Sequence, residues 1–84
     1  MSDWQWGTCE PGEASPSGVV RIYQLIHTKH GLGGWYIREY EDGSLWVTRR
    51  YPEREQMQKF SALDEAKAFA ETMRALQPAG QHHY

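Results

Sequence analysis

The segment from Gly34 to Thr72 constrains the fold of this chain more than any other. It begins with two runs rich in β-branched and aromatic residues, Trp35–Tyr40 and Leu45–Tyr51, on either side of E-D-G-S. An Asp-Gly pair between two such runs is the strongest short signal for a β-hairpin. Apolar residues then recur at helical spacing from Leu63 to Leu76. The segment therefore predicts a β-hairpin followed by an amphipathic helix.

Two registers of this hairpin place different residues in the core. A three-residue loop with Gly43 in the left-handed conformation pairs Ile37 with Val47 and Glu39 with Leu45. A two-residue Asp-Gly turn shifts the pairing by one residue and moves Trp46 to the core face. We prefer the first register because it gathers the aliphatic residues on one face. The second face of the hairpin then carries Tyr36, Arg38, Tyr40, Trp46, Thr48 and Arg50.

Two further segments determine the size of the sheet. Val19–Thr28 is rich in β-branched and aromatic residues but lacks clean alternation, which predicts a strand with a bulge or a strand covered on both sides. Gln56–Phe60 fits either a short strand or an irregular approach to the helix. The predicted fold is α+β, with an antiparallel sheet of three or four strands packed on one C-terminal helix.

Both ends of the chain are predicted to lie outside this domain. Trp4 and Trp6 alternate with polar residues, and Pro11–Gly18 has the composition of a flexible linker. The two tryptophans fit a short edge strand, a loosely docked tail, or a segment folded over the second hairpin face. The sequence is accordingly divided into an N-terminal segment and linker (1–18), a single α+β domain (19–77) and a disordered tail (78–84).

Charge and cysteine content limit the functional class. Nine basic and eleven acidic residues give a formal net charge of −2, whereas general nucleic-acid binders carry a basic excess. Cys9 is the only cysteine, which fits a reducing compartment. The sequence has no apolar run near the ~20 residues of a membrane span and no secretory signal at its start. These features predict a soluble cytoplasmic protein without a membrane partner.

Histidine and cysteine spacing gives little support for a metal site. His27 and His30 are three residues apart, Cys9 is a potential thiolate, and His82 and His83 lie near the end. Zinc requires four ligands in fixed geometry and usually shows paired spacing of those ligands. We therefore expect no metal and no cofactor.

Catalytic residues are not evident either. A serine or cysteine nucleophile needs a neighbouring base, and Ser61 is better used to cap the helix. Glu39 and Glu41 would need an enclosed pocket to act as an acid–base pair, which a sheet with one helix rarely provides. The sequence predicts a protein that is not an enzyme.

The second hairpin face is the candidate binding surface. Tyrosine, tryptophan and arginine are the side chains enriched in interface hot spots, and they also stack on nucleic-acid bases. A purely structural role, with cross-strand pairs stabilising a solvated face, is the simplest alternative. We predict that this face binds a macromolecule, preferentially a protein on charge grounds. Nucleic-acid binding is the second hypothesis, and self-association as a homodimer is the third.

The pattern G-W-Y-I-R…E-D-G…V-T-R-R, followed by F-S-A-L-D-E-A-K-A-F-A, resembles the sheet-plus-helix modules at the N-termini of tyrosine recombinases. Those arm-type DNA-binding domains typically read G-x-W…D-G…F-x-T…E-A…F/W and place a three-stranded sheet in the DNA major groove. The similarity spans Gly34–Glu71 and implies DNA contacts from Arg38, Trp46, Thr48 and Arg50. The chain departs from that family in charge, because those modules are rich in lysine and arginine.

The ending F-S-A-L-D-E-A is also similar to that of small phage proteins of unrelated roles. Some of them resemble this chain in size, acidic balance and lack of catalytic residues, including anti-CRISPR inhibitors, which occupy a nucleic-acid-binding surface on a host enzyme. This resemblance implies a phage or mobile-element inhibitor of a host factor.

Overall fold

The computed structural model describes residues 3–13, 15–50 and 55–76. Its elements, in chain order, are β1 (Trp4–Cys9), β2 (Val19–His27), β3 (Gly31–Tyr40), β4 (Leu45–Arg49), β5 (Glu55–Phe60) and α1 (Leu63–Leu76). Each strand pairs antiparallel with its neighbours in sequence, so the sheet is a meander of order β1-β2-β3-β4-β5. The predicted α+β fold with one C-terminal helix is confirmed. The prediction of three or four strands is wrong, because both undecided segments pair with the sheet as β1 and β5.

The turn between β3 and β4 has the predicted three-residue geometry. Gly43 has a φ of +90°, in the left-handed region that glycine adopts without a steric penalty. Its N–H donates to the carbonyl of Tyr40 at 2.9 Å, and the Tyr40 N–H donates to the carbonyl of Ser44 at 2.9 Å. Ile37 consequently pairs with Val47, which confirms the preferred register.

Strand β2 contains the irregularity that its mixed pattern predicts. Its pairing with β3 shifts between Val19 and Arg21 and again between Gln24 and Ile26. The first shift leaves Val20 without a direct partner, as in a β-bulge, whereas at the second the extra residues belong to β3, where 33–35 stand opposite Leu25 alone. The connection to β3 turns at Gly31, whose φ is +83°, and β3 begins at that residue.

The core lies between α1 and one face of the sheet. Ala66 and Ala70 are fully buried, and these small side chains let the helix approach Ile37 and Val47, which are also fully buried. Phe60 and Phe69 close one border of the core, with ring centroids 5.3 Å apart. The apolar stripe ends before Leu76, which is 71% exposed, and the predicted 78–84 tail lies outside the described residues.

The side chains of Trp4 and Trp6 in β1 lie on the same side of the sheet as the helix. Trp4 and Trp6 pack against the core cluster, and the Trp6 indole Nε1 donates a hydrogen bond to Glu71 of α1 at 2.8 Å. The Arg74 guanidinium carbon lies 4.4 Å from the Trp4 ring centroid. The tryptophans therefore form an edge strand, and the alternative in which they fold over the opposite face is wrong.

Candidate functional site

The face of the sheet opposite α1 is the candidate site, and we call it the open face. Because paired residues point to the same side of a sheet, the register assigns its members. These include Ile22, Gln24, Tyr36, Arg38, Tyr40, Trp46, Thr48, Gln56 and Lys59. Two cross-strand rows make up its centre: Ile22–Arg38–Trp46–Lys59 and Gln24–Tyr36–Thr48–Gln56.

The structure brings the six predicted site residues to this one region. Tyr36, Arg38, Tyr40 and Trp46 are half-buried, and Arg50, just beyond β4, is exposed. A half-buried aromatic side chain on a sheet face still presents one side of its ring to a partner. Trp46 lies directly between Arg38 and Lys59 in its row, so an indole surface is flanked by two cations.

Thr48 differs from the other five predicted site residues. It lies between Tyr36 and Gln56 in the register, and its exposed fraction is 0%. Its Oγ1 donates a hydrogen bond to the carbonyl of Trp46 within its own strand at 3.5 Å. Thr48 therefore packs beneath its neighbours on the open face and has no exposed surface that a partner could contact.

Contacts within the open face order its aromatic side chains. The Arg38 guanidinium donates from Nη2 to the Tyr36 hydroxyl at 3.4 Å, and its central carbon lies 5.4 Å from the Tyr36 ring centroid. The Tyr40 hydroxyl donates to the Gln56 side-chain oxygen on β5 at 3.3 Å. These contacts reduce the side-chain entropy that a partner would otherwise have to remove on binding.

A groove of about 190 Å³ opens on this face beside Arg38. The β1–β2 connection contributes Gly12 and Ser15, and the sheet side contributes Ile22, Gln24, Tyr36, Arg38 and Arg50. Small-molecule sites usually enclose roughly 300–1,000 Å³, so the groove suits a single side chain or chemical group.

Charge is distributed unevenly between the two sides of the sheet. Arg38 and Lys59 occupy strand positions of the open face, Arg50 lies next to them, and no described strand position of this face carries a carboxylate. Exposed carboxylates of α1, Glu65 and Glu71 among them, lie on the opposite side. The net charge of −2 therefore conceals a cationic face.

Sequence reasoning missed the part of the site that comes from β2, β5 and the β1–β2 connection. Gln24, Ser15 and Lys59 were not among the predicted residues, although Gln24 interrupts the apolar positions Ile22 and Ile26. A polar residue at that position was the available signal for a functional face. No comparable signal marked Ser15, because its placement depends on how the connection crosses the sheet.

The carboxylate considered for acid–base chemistry lies on the helix side instead. Glu39 accepts a hydrogen bond from the Tyr23 hydroxyl at 2.7 Å. Burial raises the pKa of the Tyr23 hydroxyl, and the hydrogen bond to Glu39 raises it further. Glu41 is exposed in the β3–β4 turn. Glu39 is thus held by a core tyrosine, away from the open face.

The candidate metal ligands that the structure describes are Cys9, on β1, and His27 and His30, at the β2–β3 turn. Among the described residues, no group of three or more histidine, cysteine, aspartate or glutamate side chains is placed to hold a metal ion. The His27 and His30 rings lie 4.6 Å apart at the β2–β3 turn, and the His27 Nδ1 accepts the backbone N–H groups of Lys29 and His30. Residues His82 and His83 lie outside the described part of the chain.

In the described ranges, the one helix is too short and too polar to cross a membrane. Comparisons of the chain with protein-family models, curated proteins and solved structures find no match. The geometry of the open face is therefore the basis for inferring its function.

Proposed function

We propose that this protein is a small non-enzymatic binding module whose open face binds another protein. The observation that carries the proposal is the row Arg38–Trp46–Lys59, an indole between two cations on a sheet face that α1 leaves uncovered. Tryptophan and arginine are the commonest hot-spot residues, and a central aromatic surrounded by polar groups is the usual arrangement of a hot spot.

Charge supports a protein partner over a polyanion. In the described part of the chain, three cations lie on or beside the open face (Arg38, Arg50 and Lys59), and the chain as a whole is net negative. A protein surface with a few carboxylates matches such a limited cationic patch, whereas an extended phosphate backbone is repelled by the acidic remainder of the molecule.

The test begins with a pull-down from the native host, using an Arg38→Ala/Trp46→Ala double variant as the control bait. The Kd of the captured protein is then measured for the unmodified chain and for the single variant Trp46→Ala. We expect a loss of about 2 kcal/mol, or roughly thirtyfold in Kd, because a hot-spot indole is removed. The melting temperature should change little, since Trp46 lies outside the core cluster.

Leu76→Ala provides the matched control. Leu76 is a large apolar side chain, 71% exposed, at the end of α1 and far from the open face in the fold. Its replacement should leave the affinity unchanged. Equal losses for Trp46→Ala and Leu76→Ala, or no loss for either, would contradict the proposal.

Nucleic-acid binding is the second candidate, and one observation favours it: the cations and stacking aromatics share one face. It predicts binding to duplex or single-stranded DNA in a gel shift at low salt. Affinity should then fall about tenfold or more across physiological salt concentrations. Absence of binding at low salt excludes this candidate.

Self-association is the third candidate, because β1 and β5 are the two edges of the sheet and can pair with a second copy. It predicts a mass that rises with concentration in sedimentation equilibrium.

Within the main proposal, we place the protein in the cytoplasm, as its single cysteine suggests. We assign it the role of a phage or mobile-element inhibitor of a host protein. The small size of the chain and its proposed binding face support that role.

A further inference from the structure

The groove on the open face contains a half-buried arginine with few internal partners. The Arg38 guanidinium has five N–H donors, and among the described residues only the Tyr36 hydroxyl accepts one of them, at 3.4 Å. No carboxylate of the described chain pairs with it. Because removing a charged group from water is costly, a half-buried guanidinium with unused donors is arranged to receive an anion.

The other groove residues fit the same ligand. The Tyr36 hydroxyl, the Ser15 hydroxyl and the Gln24 amide can each donate a hydrogen bond, Arg50 adds a second guanidinium, and the described residues that line the groove include no acidic side chain. Donors from three separate parts of the chain therefore converge on one small space. The volume of about 190 Å³ admits one oxyanion with its nearest atoms and is too small for a metabolite of drug size.

We propose that this groove binds a single carboxylate side chain of the partner protein, an aspartate or a glutamate. The inference rests on the proposed function and specifies the chemistry of its contact. A planar guanidinium matches a carboxylate in a bidentate arrangement, which fixes orientation as well as charge. Ile22 and the Tyr36 ring supply an apolar wall for the methylene groups of the incoming side chain.

The surroundings of the groove favour a carboxylate over a nucleic-acid phosphate. Glu13, an exposed residue, follows Gly12 in the same connection. A polyanion brings several phosphate charges to this part of the surface, and the like charge of Glu13 repels each of them. A single acidic side chain on a neutral backbone carries one negative charge, so the same repulsion is smaller.

The test is an NMR titration of the unmodified protein that follows the arginine Nε–Hε signals. The probe is a blocked Gly-Glu-Gly peptide, and its uncharged isostere Gly-Gln-Gly is the control. We expect a saturable shift of the Arg38 signal with the Glu peptide and at least about tenfold weaker binding of the Gln peptide, because charge-assisted hydrogen bonds are roughly twice as strong as neutral ones. Arg38→Lys, which retains the charge but loses the planar fork, should also weaken binding of the Glu peptide.

Two results would overturn the inference. One is the absence of a saturable Arg38 shift with the Glu peptide. The other is tighter binding of a short oligonucleotide at equal charge concentration, which would assign the groove to phosphate. Failure of the proposed function is separately visible: if Trp46→Ala abolishes capture of the partner and Arg38→Gln does not, only the carboxylate inference fails. If Trp46→Ala has no effect on capture, the binding face itself is wrong.

Discussion

Individual positions on the open face differ in role even where the residue types look alike. Trp46 and Thr48 are two apart on β4 and point to the same side, yet Trp46 is half-buried and Thr48 is fully buried. The small Thr48 side chain is covered by its two long cross-strand neighbours, whereas the larger Trp46 indole stays partly exposed between its own neighbours. Exposure at this scale depends on side-chain size relative to the cross-strand neighbours.

Asp42 shows how one residue stabilises the hairpin on which the site depends. Its Oδ1 accepts the backbone N–H of Ser44 at 2.8 Å. Hydrogen bonds from Ser44 lower the pKa of the Asp42 carboxyl, and the nearby Lys59 ammonium lowers it further. A carboxyl whose pKa is lower in the folded state stabilises the protein above its unfolded pKa of about 3.9, and this contribution is lost as the pH falls through the folded pKa.

We therefore predict that Asp42→Asn lowers the melting temperature at pH 7 but has a smaller effect at pH 3. At pH 3, below the unfolded pKa of about 3.9, the unfolded chain binds a proton at this position, so part of the stabilisation by the folded-state carboxylate is already lost. Thermal melts followed by circular dichroism at both pH values measure this. Asp42→Ala, which also removes the hydrogen-bond acceptor, should lower the melting temperature further at both pH values. An equal effect of Asp42→Asn at pH 7 and pH 3 would contradict the assignment.

At the scale of elements, β1 is the strand whose role is least evident from its neighbours in sequence. A linker-like connection separates it from β2, but the side chains of its two tryptophans contact residues of α1. The Trp4 ring packs edge-on to His27, with centroids 4.8 Å apart, and a Cβ at Gly33 would collide with that ring. A glycine on β3 thus provides the space in which the first strand anchors.

We predict that Trp4→Ala lowers the free energy of unfolding by about 2 kcal/mol, less than a fully buried tryptophan because Trp4 is only partly covered. Urea denaturation monitored by circular dichroism measures the change. Leu76→Ala is the control, with an expected change near zero because its side chain is mostly exposed. An unchanged value for Trp4→Ala would show that residues 1–18 behave as a segment independent of the domain, as the sequence division proposes.

The two sides of the sheet differ in charge although the net charge of the molecule is small. The helix carries both signs, with Glu65 and Glu71 beside Lys67 and Arg74, whereas the described strand positions of the open face carry cations without a carboxylate. Such asymmetry orients a partner during approach and raises the association rate at low salt. A net charge near zero therefore says little about binding until the fold assigns each charge to a side.

Two charge reversals of equal size test this asymmetry. Lys59→Glu changes the open face, whereas Lys29→Glu makes the same change at the exposed β2–β3 turn. We expect Lys59→Glu to slow association with the captured partner about tenfold at low salt, and Lys29→Glu to have a much smaller effect. Surface plasmon resonance at several salt concentrations measures both rates. Equal slowing by the two variants would point to net charge alone as the cause.

The hairpin register was accessible from local sequence, because Gly43 must adopt a positive φ and a single turn geometry gathers Ile37, Leu45 and Val47 on one side. The helix stripe was accessible for the same reason, since its period is local. Contacts between residues far apart in the chain decided three other features. These are the inclusion of β1 and β5 in the sheet, the burial of Thr48 and the groove beside Arg38. Short segments have nearly equal propensities for strand and coil, and only the tertiary contacts that they gain, such as Trp6 with Glu71, decide between the two states.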